Sequence, residues 1–413
     1  MGMKLLFLTQ YYPPETGAPQ NRLHSLALNL IKVGFEVEVL TAMPNYPKME
    51  IFPEYRGLKE MEETIDGVRV IRSSIYVTKD KGVAKRLMNY FSFVWTSIQS
   101  HKRLSKADYV LCESPPLFLG ISALYLARKL KARMIFNVSD LWPESAEELD
   151  IVSNRFFLGL AYKLEAYLYR KSFLVTGQTQ GIVTDINKRF PKVATMYLPN
   201  GIDKEVYAFN DTSKDWIHQN GLEGKKIYMY AGIIGHAQGL DVIIKAKAWI
   251  KKMYPEKAKE IQFVLIGDGP EKERLINLDY ELKTEITFIP NTPKKEVMRM
   301  IKQAHGYIVP LKKLKLFLGA IPSKIFDPLA MGIPILLGVD GEAHKLFIEQ
   351  GNAGLHFEPE NHIALAERII ELEEDPTLAQ RLGKQGQAFV QENFDRKNIA
   401  LSFKEFIQNM VSK

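Results

Sequence analysis

The sequence predicts an α/β fold of two Rossmann-like domains that face each other across an interdomain cleft. With 413 residues, the chain is too long for one ordinary core and suits two domains of about 200 residues each. Short apolar runs alternate with segments of helical spacing, which is typical of parallel sheets covered by helices. The alternation stops in a polar stretch that ends at Gly224 and restarts at Lys226. We therefore predict an N-terminal domain over residues 1–200 and a C-terminal domain over 201–396, with a last helix, 397–413, that packs back on the first domain.

The composition is that of an ordinary globular protein, with 46% hydrophobic and 25% charged residues. The single cysteine, Cys112, excludes an internal disulfide and suits a reducing cytoplasm. Zinc-type Cys/His spacing, a signal pattern and an apolar run long enough to cross a bilayer are all missing, so we expect a cytoplasmic protein with no metal and no cofactor. The net charge of +7 favours an anionic partner. Because no nucleic-acid-binding motif is present, we do not expect nucleic acid to be that partner.

The N-terminal region predicts a strand, a loop and a helix. The apolar run Lys4–Gln10 is typical of a buried parallel strand, and Leu23–Val33 shows helical spacing. Between them lies the proline-rich loop Tyr11–Asn21, which contains Gly17. Ligands of such sheets bind beyond the carboxyl ends of the strands, so a sugar or phosphate could approach bare backbone at Gly17, although an ordinary turn would look the same. The glycine fingerprint of dinucleotide-binding folds is absent here, which counts against a nicotinamide enzyme.

A helix with basic ends and an aromatic, apolar middle is predicted over Lys81–Ser105. Lysine and arginine stand near both ends, while tyrosine, phenylalanine and tryptophan fill the middle. This pattern favours a helix that lies in a membrane interface, with peripheral contact through residues 83–105. The alternative is a core helix whose ends are merely solvated.

A polar run follows the strand predicted over Arg133–Val138, at the edge of the sheet where α/β folds place their chemistry. Within this run, Asp140 is the candidate for a carboxylate that faces an acceptor. It could almost equally cap the helix that begins near Pro143.

The stretch Gly319–Pro334 predicts a loop that enters a short helix and then a buried strand. Ser323 is a candidate N-cap, and Lys324 then sits at the positive end of the helix, where a cation is favourable only if an anion shares the site. Backbone N–H groups and the ammonium together describe a phosphate cradle. Asp327 lies about one turn further on and could accept the hydroxyls of a ribose. The alternative is a capped helix with a solvated lysine.

Five motifs occur in an order and at a spacing that match a known family. They are Tyr12-Pro13-Pro14 with Gly17, Asp140–Ser145, Pro199–Asp203, Ile266–Pro270, and Pro322–Asp327 with Ala330 and Gly332. Over nearly its whole length the chain resembles the retaining glycosyltransferases of the two-domain GT-B fold. It is similar in particular to the large bacterial group that builds O-antigen, capsule and lipopolysaccharide chains.

The resemblance implies a set of donor-binding residues spread over several segments. They are Gly17, Gly235, His236, Gln238, Ile289, Gly319, Ala320, Ser323, Lys324, Ile325 and Asp327. Asp327 resembles the carboxylate that binds the ribose, and the segment around Lys324 resembles the diphosphate cradle. The loop around His236 resembles the glycine loop near the phosphates, and the backbone around Ile289 resembles the strand edge that reads the base.

Two positions depart from the family pattern. Many relatives carry two glutamates eight residues apart, where this chain has Gly319 and Asp327. The contact to a sugar hydroxyl that the first glutamate makes is therefore in question. Many relatives also carry a lysine where this chain has Gln238, so the phosphate charge would rest more on Lys324, with Lys312 or Lys313 as helpers.

The resemblance implies a retaining, metal-independent hexosyltransferase with Asp140 and Lys324 in the catalytic roles. Its donor would be UDP-linked, with an N-acetylated hexosamine as one suitable sugar, and its acceptor a polyprenyl-diphosphate-linked sugar or another glycan. Such an enzyme would lie at the inner face of the cell membrane. Two alternatives stay open: a nucleotide-sugar epimerase of the same fold, which would consume donor without an acceptor, and a non-catalytic nucleotide-sugar-binding partner in a polysaccharide assembly complex.

Overall fold

The computed structural model of the chain describes residues 2–80, 82–148, 154–211, 213 and 215–412. The chain divides into two compact units, Met1–Asn200 with Arg396–Lys413, and Gly201–Asp395. The sequence placed the boundary at the same residue, 200, and assigned the last helix to the first domain.

The first unit is built on an eight-stranded sheet within the described residues. Its strands are β1 Lys4–Leu8, β2 Glu36–Ala42, β3 Glu60–Ile65, β4 Val68–Ser73, β5 Tyr109–Ser114, β6 Arg133–Val138, β7 Leu174–Gly177 and β8 Thr195–Tyr197. Their spatial order is β3-β4-β2-β1-β5-β6-β7-β8, and all neighbouring pairs are parallel except β3 and β4. The helices that join them are α1 Ala18–Lys32, α2 Val83–Gln99, α3 Leu119–Leu130, α4 Glu144–Glu148, α5 Arg155–Lys171 and α6 Gln180–Arg189.

Both faces of this sheet are buried, because successive side chains of a strand point to opposite sides. In β1, Leu6 and Leu8 belong to one hydrophobic cluster, whereas Leu5 and Phe7 belong to another. The continuous apolar run that predicted a buried parallel strand is therefore explained by two separate layers of helices.

The second unit is built on a sheet of parallel strands in the order β11-β10-β9-β12-β13-β14. These strands are β9 Lys226–Ala231, β10 Ile261–Ile266, β11 Thr287–Ile289, β12 Gly306–Pro310, β13 Ile335–Gly338 and β14 Gly354–His356. The helices are α7 Lys204–Tyr207, α8 Asp215–Gln219, α9 Asp241–Met253, α10 Pro255–Glu260, α11 Lys272–Leu282, α12 Lys294–Ile301, α13 Phe326–Ala330, α14 His362–Glu374 and α15 Pro376–Asn393. Short 3₁₀-helical segments lie at His236–Gln238, Lys315–Gly319 and Ser323–Ile325, and a π-helix spans His344–Gln350.

The chain ends in α16 Arg396–Val411, which belongs to the first unit. Phe403 and Ile407 of this helix join the cluster that contains Leu5 and Phe7 of β1. The helix is also tied to the end of α1, since Lys404 Nζ donates to the Val33 carbonyl at 2.6 Å.

Two elements of the first unit differ from the prediction. Helix α1 begins at Ala18 rather than Leu23, because Pro19 falls in the first turn, where a missing N–H costs no hydrogen bond. Strand β3 was not predicted, since it is rich in glutamate and lies at the edge of the sheet. Its charges are paired across the strands, as the 2.7 Å contact of Glu62 Oε1 with Arg69 Nε shows.

Helix α2 has two different faces. Phe93 and Val94 are buried against the sheet, as the core-helix alternative requires. Met88, Phe91 and Trp95 are exposed on the opposite side, with intervals of three and four residues that align them along the helix. The aromatic residues therefore divide between core and surface rather than surrounding a surface helix.

Candidate functional site

Lys324 lies beside the carboxyl end of the central strand β9 of the second unit. It stands in the turn Ser323–Ile325, and its Nζ is 4.8 Å from the centre of the Tyr230 ring, which makes a cation–π contact. The same Nζ lies against Gly232, where a Cβ atom would collide with it. Lys324 of the motif Pro322–Asp327 therefore contacts the first residue beyond β9, Gly232.

The Lys324 ammonium forms no ion pair with a carboxylate in the described part of the chain. Asp327, three residues on, instead approaches Lys294, with 3.8 Å between Lys294 Nζ and Asp327 Oδ2. Burial lowers the pKa of Lys324 to about 8, because the charged ammonium loses solvation. A bound phosphate would restore a strong interaction for this charge, so the position is suited to an anionic ligand.

The loop Gly232–Gly239, which follows β9, packs backbone against backbone on the loop that follows β10. The Ile234 N–H donates to the Asp268 carbonyl at 2.9 Å. Gly267 has a φ of +137°, and a Cβ there would collide with the Gly232 carbonyl. Gly232 itself has a φ of +142°. These glycines keep bare backbone beside Lys324 Nζ, which is the kind of surface that a phosphate group can approach closely.

Two side chains of this loop bind back onto the protein. The Gly235 N–H donates to Gln238 Oε1 at 3.2 Å. His236 Nδ1 lies 2.7 Å from Oε1 of Glu271, the residue before α11. Because Gln238 has no charge and His236 is engaged by a carboxylate, Lys324 supplies the positive charge nearest to the bare backbone at Gly232.

Asp327 belongs to the same corner of the sheet. The Tyr307 hydroxyl donates to the Ala231 carbonyl and accepts from the Ala231 N–H, both at 3.0 Å, at the last residue of β9. Burial, and to a smaller extent the charge of Asp327, raises the pKa of Tyr307. The carboxylate and the ammonium singled out by the sequence therefore both lie at the end of β9, although they do not pair with each other.

The predicted N-cap at Ser323 is wrong. In the described turn the capping position is Pro322, and no side-chain capping bond is formed. The Ile325 side chain is fully buried, and its backbone N–H donates to the Pro322 carbonyl at 3.1 Å. Neither the side chain nor the N–H of Ile325 therefore faces a ligand. Helix α13 has only 5 residues, so its dipole contributes less than the sequence predicted. The features suited to an anion at this position are therefore the Lys324 ammonium and the glycine backbone, and not a capped helix end.

Three further donor-binding candidates of the second unit are Gly319, Ala320 and Ile289. Gly319 ends the turn Lys315–Gly319, and nothing in the described chain lies within 4 Å of the position that its Cβ would take. The Ala320 N–H donates to the Phe317 carbonyl at 3.0 Å. Ile289 is the last residue of the outermost strand, β11, and its carbonyl accepts the Gly267 N–H at 2.9 Å. The backbone at Ile289 is thus fixed directly to the glycine loops.

The two helper lysines have different surroundings. Lys313 Nζ lies 2.5 Å from Glu358 Oε1, which neutralises it. The Lys312 N–H donates to the Ala237 carbonyl at 2.9 Å, so its backbone supports the glycine loop. Both lysines line a cavity of about 190 Å³, together with Phe317 and Asp340.

In the first unit, Asp140 lies two residues beyond β6 and is half-buried. Burial raises its pKa, while hydrogen bonds from the Ser145 side chain and the Leu141 backbone oppose that rise. Ser145 stands in the first turn of α4, but its bond to Asp140 joins two side chains and Leu141 precedes the helix, so neither bond is the backbone cap of the alternative interpretation. The two bonds fix the carboxylate at the carboxyl edge of the sheet.

Gly17 stands immediately before α1 rather than in the middle of a loop, and its φ of 173° is extended backbone. The segment before it is held by Glu15, which sequence reasoning missed. The buried Glu15 carboxylate accepts backbone N–H groups of Tyr12, Asn45 and Tyr46 at 3.2, 2.8 and 2.9 Å. The loops after β1 and β2 are therefore joined through one carboxylate.

A second buried carboxylate, Glu113 at the end of β5, was also missed. It pairs with Arg22 of α1 and accepts from Asn137 Nδ2 at 2.5 Å and from the Ser139 hydroxyl at 2.8 Å. Thr176 extends this network to β7 through its 2.6 Å bond to Asn137. The network fixes the segment that leads to Asp140. The only sequence signal was the coincidence of polar residues at the ends of neighbouring strands.

The described residues contain no cluster of three or more His, Cys, Asp or Glu side chains that could hold a metal ion. Nor does any helix among them combine the length and the apolar character that a membrane crossing requires.

Two family models match the chain, one in each unit. Residues 17–201 match a glycosyl transferase 4-like domain, and residues 212–389 match the glycosyl transferases group 1. The chain is a glycosyltransferase of the GT-B fold.

Two bacterial glycosyltransferases are similar to this chain over most of its length, at low sequence identity. The glycosyltransferase is 26% identical over 352 residues to a putative colanic acid biosynthesis glycosyl transferase, WcaI, of Escherichia coli, covering 80% of this chain and 82% of the relative. It is 22% identical over 299 residues to a probable glycosyltransferase, WbjE, of Pseudomonas aeruginosa, covering 71% and 73% of the two chains.

Solved structures share the fold over nearly the whole chain. Sucrose-phosphate synthase from Thermosynechococcus elongatus has a TM-score of 0.75 at 16% identity and covers 99% of both chains. Anabaena HepE, in complex with UDP and glucose, has a TM-score of 0.72 at 16% identity and covers 98% of this chain and 100% of its own.

Proposed function

We propose that this glycosyltransferase moves a hexose, such as an N-acetylated hexosamine, from a UDP-linked donor to a saccharide or lipid-linked acceptor, with retention of configuration. The observation that carries the proposal is the Lys324 ammonium, which lies partly buried beside the bare backbone of Gly232 without a carboxylate partner among the described residues. A diphosphate is the ligand that such a combination binds well. UDP as the nucleotide is supported by HepE, whose structures contain UDP and UDP-glucose.

Lys324 assists the reaction by stabilising the leaving group. The bond between the anomeric carbon and the diphosphate oxygen breaks, and negative charge grows on that oxygen. A fixed ammonium interacts more strongly with this charge than with the ground state, and that difference lowers the barrier. Asp327 binds the hydroxyls of the ribose. The Lys324 ammonium stabilises the negative charge on the leaving diphosphate, so the reaction needs no metal ion.

The acceptor completes the reaction in our proposal. Its hydroxyl oxygen forms the new bond on the face that the diphosphate leaves, and its proton passes to a phosphate oxygen. Asp140 orients that hydroxyl. The proposal that the acceptor is a lipid-linked sugar of a cell-surface polysaccharide is supported by the names of WcaI and WbjE. The enzyme would then work at the inner face of the cell membrane, with contact through residues 83–105.

A transfer assay with UDP-sugars and isolated lipid-linked glycans, run in the presence of EDTA, tests this function. We expect Lys324→Ala to lower turnover by roughly two to three powers of ten, as removal of one oxyanion donor does. Lys252→Ala, at an exposed position of α9, is the matched control and should behave like the wild type. Near-normal turnover of the Lys324 variant would remove the ammonium from the mechanism. Formation of an epimeric sugar from the donor, with no acceptor present, would instead identify an epimerase.

A further inference from the structure

Two helices of the first unit expose aligned apolar side chains. On α2 these are Met88, Phe91 and Trp95, and Trp95 is 64% exposed. On α5 they are Phe156 and Leu160, one turn apart, and Phe156 is 78% exposed. Large apolar groups aligned in this way are uncommon on a surface that only meets water.

The buried Phe118 ring lies between the two helices and brings their exposed stripes close to each other. The Phe118 ring lies 4.8 Å from that of Phe91 on α2 and 6.2 Å from that of Phe157 on α5, measured between ring centres. Phe157 is the neighbour of the exposed Phe156. We call the surface formed by Met88, Phe91, Trp95, Phe156 and Leu160 the α2–α5 face.

The segments that carry this face are rich in lysine and arginine. Two acids lie beside them, since Glu147 of α4 accepts from the Tyr162 hydroxyl of α5 at 2.7 Å and Glu60 lies 2.8 Å from Arg103. Residues 81–107, which include α2, contain six Lys and Arg and no Asp or Glu. On α5, Arg155, Lys163, Arg170 and Lys171 accompany a single acid, Glu165, which is buried and lies 2.8 Å from Arg189.

The whole first unit shows the same bias. It contains 30 Lys and Arg against 20 Asp and Glu, a net charge of +10, whereas the second unit contains 25 against 28, a net charge of −3. The positive charge of the chain is therefore concentrated on the unit that carries the α2–α5 face.

We propose that the α2–α5 face docks on the surface of a bilayer that contains anionic lipids. Apolar and aromatic side chains enter the interface between headgroups and acyl chains, and the surrounding lysines and arginines meet the lipid phosphates. This inference rests on the proposed function for its purpose. It adds α5 to the contact proposed for residues 83–105 and excludes Phe93 and Val94, which belong to the core.

The face also leads towards Asp140. Trp142, two residues beyond Asp140, packs on Phe118 with 5.4 Å between ring centres. The ring that lies between the two helices therefore also contacts the segment that carries the proposed acceptor-orienting carboxylate. Docking through this face would bring that segment close to the headgroups, where a lipid-linked sugar presents its hydroxyls.

Vesicle co-sedimentation of the full chain tests the inference without any donor or acceptor. We expect the wild type to bind vesicles of phosphatidylglycerol and phosphatidylethanolamine at low salt and to bind neutral phosphatidylcholine weakly. The double variant Phe156→Ser/Leu160→Ser should bind about tenfold less. The control, Ile276→Ser/Tyr280→Ser, removes two exposed apolar side chains at the same spacing on α11 and should bind like the wild type.

Three results would overturn the inference: no binding of the wild type, an α5 variant that binds normally, or a control variant that loses binding equally. A dimer in solution that the α5 substitutions convert to a monomer would show that the face covers a second copy instead. Thermal stabilisation by UDP, measured on every variant, tests the donor site separately. Loss of vesicle binding with UDP binding intact concerns this inference alone, and loss of UDP stabilisation in the wild type concerns the proposed function.

Discussion

Lys324 carries a positive charge into a position where the protein provides an aromatic ring and bare glycine backbone but, among the described residues, no carboxylate. Such a charge costs stability in the free protein, because burial favours the neutral amine. An anion that binds beside the ammonium offsets this loss of stability, because it interacts favourably with the charge. Keeping a lysine at this cost is the physical sign of a binding role, since an exposed arrangement would be cheaper.

The lowered pKa of Lys324, about 8, predicts how UDP affinity depends on pH. In our proposal UDP binds the protonated ammonium, so its affinity should be full well below pH 8, about half as great at pH 8, and lower still above it. Between pH 7 and pH 9 we expect a roughly tenfold loss, measured by isothermal titration calorimetry.

The variant Lys324→Arg provides the control for this pH dependence, since a guanidinium keeps its charge throughout the range. Its UDP affinity should change little between pH 7 and pH 9. An equal pH dependence in the variant would assign the titration to another group.

The lowered pKa of Lys324 also makes the stability of the free protein depend on pH, in the direction opposite to that of UDP affinity. Between pH 8 and the usual pKa of the lysine, the unfolded chain binds more protons at this position than the folded one. The contribution of Lys324 to stability therefore rises with pH in that window. Raising the pH above 8 should therefore weaken UDP binding and, through the same side chain, stabilise the free protein.

At the scale of elements, the loop after β9 is defined by its glycines. Gly232 combines a positive φ with direct contact to Lys324 Nζ, and the loop is fixed to the glycines after β10. A side chain at position 232 would meet the flexible end of the lysine, so the ammonium rather than the backbone would move.

We therefore expect Gly232→Ala to weaken UDP binding by about tenfold or more, by displacing the ammonium from the loop. Gly221→Ala is the control for a positive φ, because Gly221 has a φ of +64° and nothing within 4 Å of its Cβ position; alanine adopts that φ with less strain than the +142° of Gly232. Both variants carry backbone strain, and only the first displaces the ammonium. Equal losses of UDP affinity, measured by calorimetry, would show that strain alone is responsible.

The sequence predicted elements best where apolar runs are continuous. Strand β6 has the predicted bounds, Arg133–Val138, and β9 begins at Lys226, where the alternation was predicted to restart. Strand β3 escaped prediction because its glutamates are stabilised by arginines of β4, a pairing that no local pattern reveals. Buried polar networks escaped for the same reason, since Glu15 and Glu113 gain their partners from distant segments.

For the candidate site, the sequence identified the right segment for a partly different reason. Lys324 was singled out as a residue at a capped helix end, yet Ser323 forms no cap and α13 is too short to supply a strong dipole. The contact of Lys324 with Gly232 joins residues 92 positions apart, so only the folded sheet brings them together. Motif order therefore predicted the site, while its physical basis required the structure.

At the scale of the whole molecule, the two units differ in charge and in the chemistry that they present. The second unit, with a net charge of −3, offers the partly buried ammonium of Lys324 and the glycine loops. The first unit, with a net charge of +10, offers the carboxylate Asp140 and the α2–α5 face. This division matches a diphosphate-linked donor held by one unit and an acceptor at a lipid surface held by the other.

A crystal structure of the protein with UDP tests the central claim most directly. We predict a phosphate oxygen about 2.7–2.9 Å from Lys324 Nζ, beside the backbone of Gly232, with both ribose hydroxyls on the Asp327 carboxylate. Phosphates bound away from Lys324, or an Asp327 carboxylate turned from the ribose, would contradict the account.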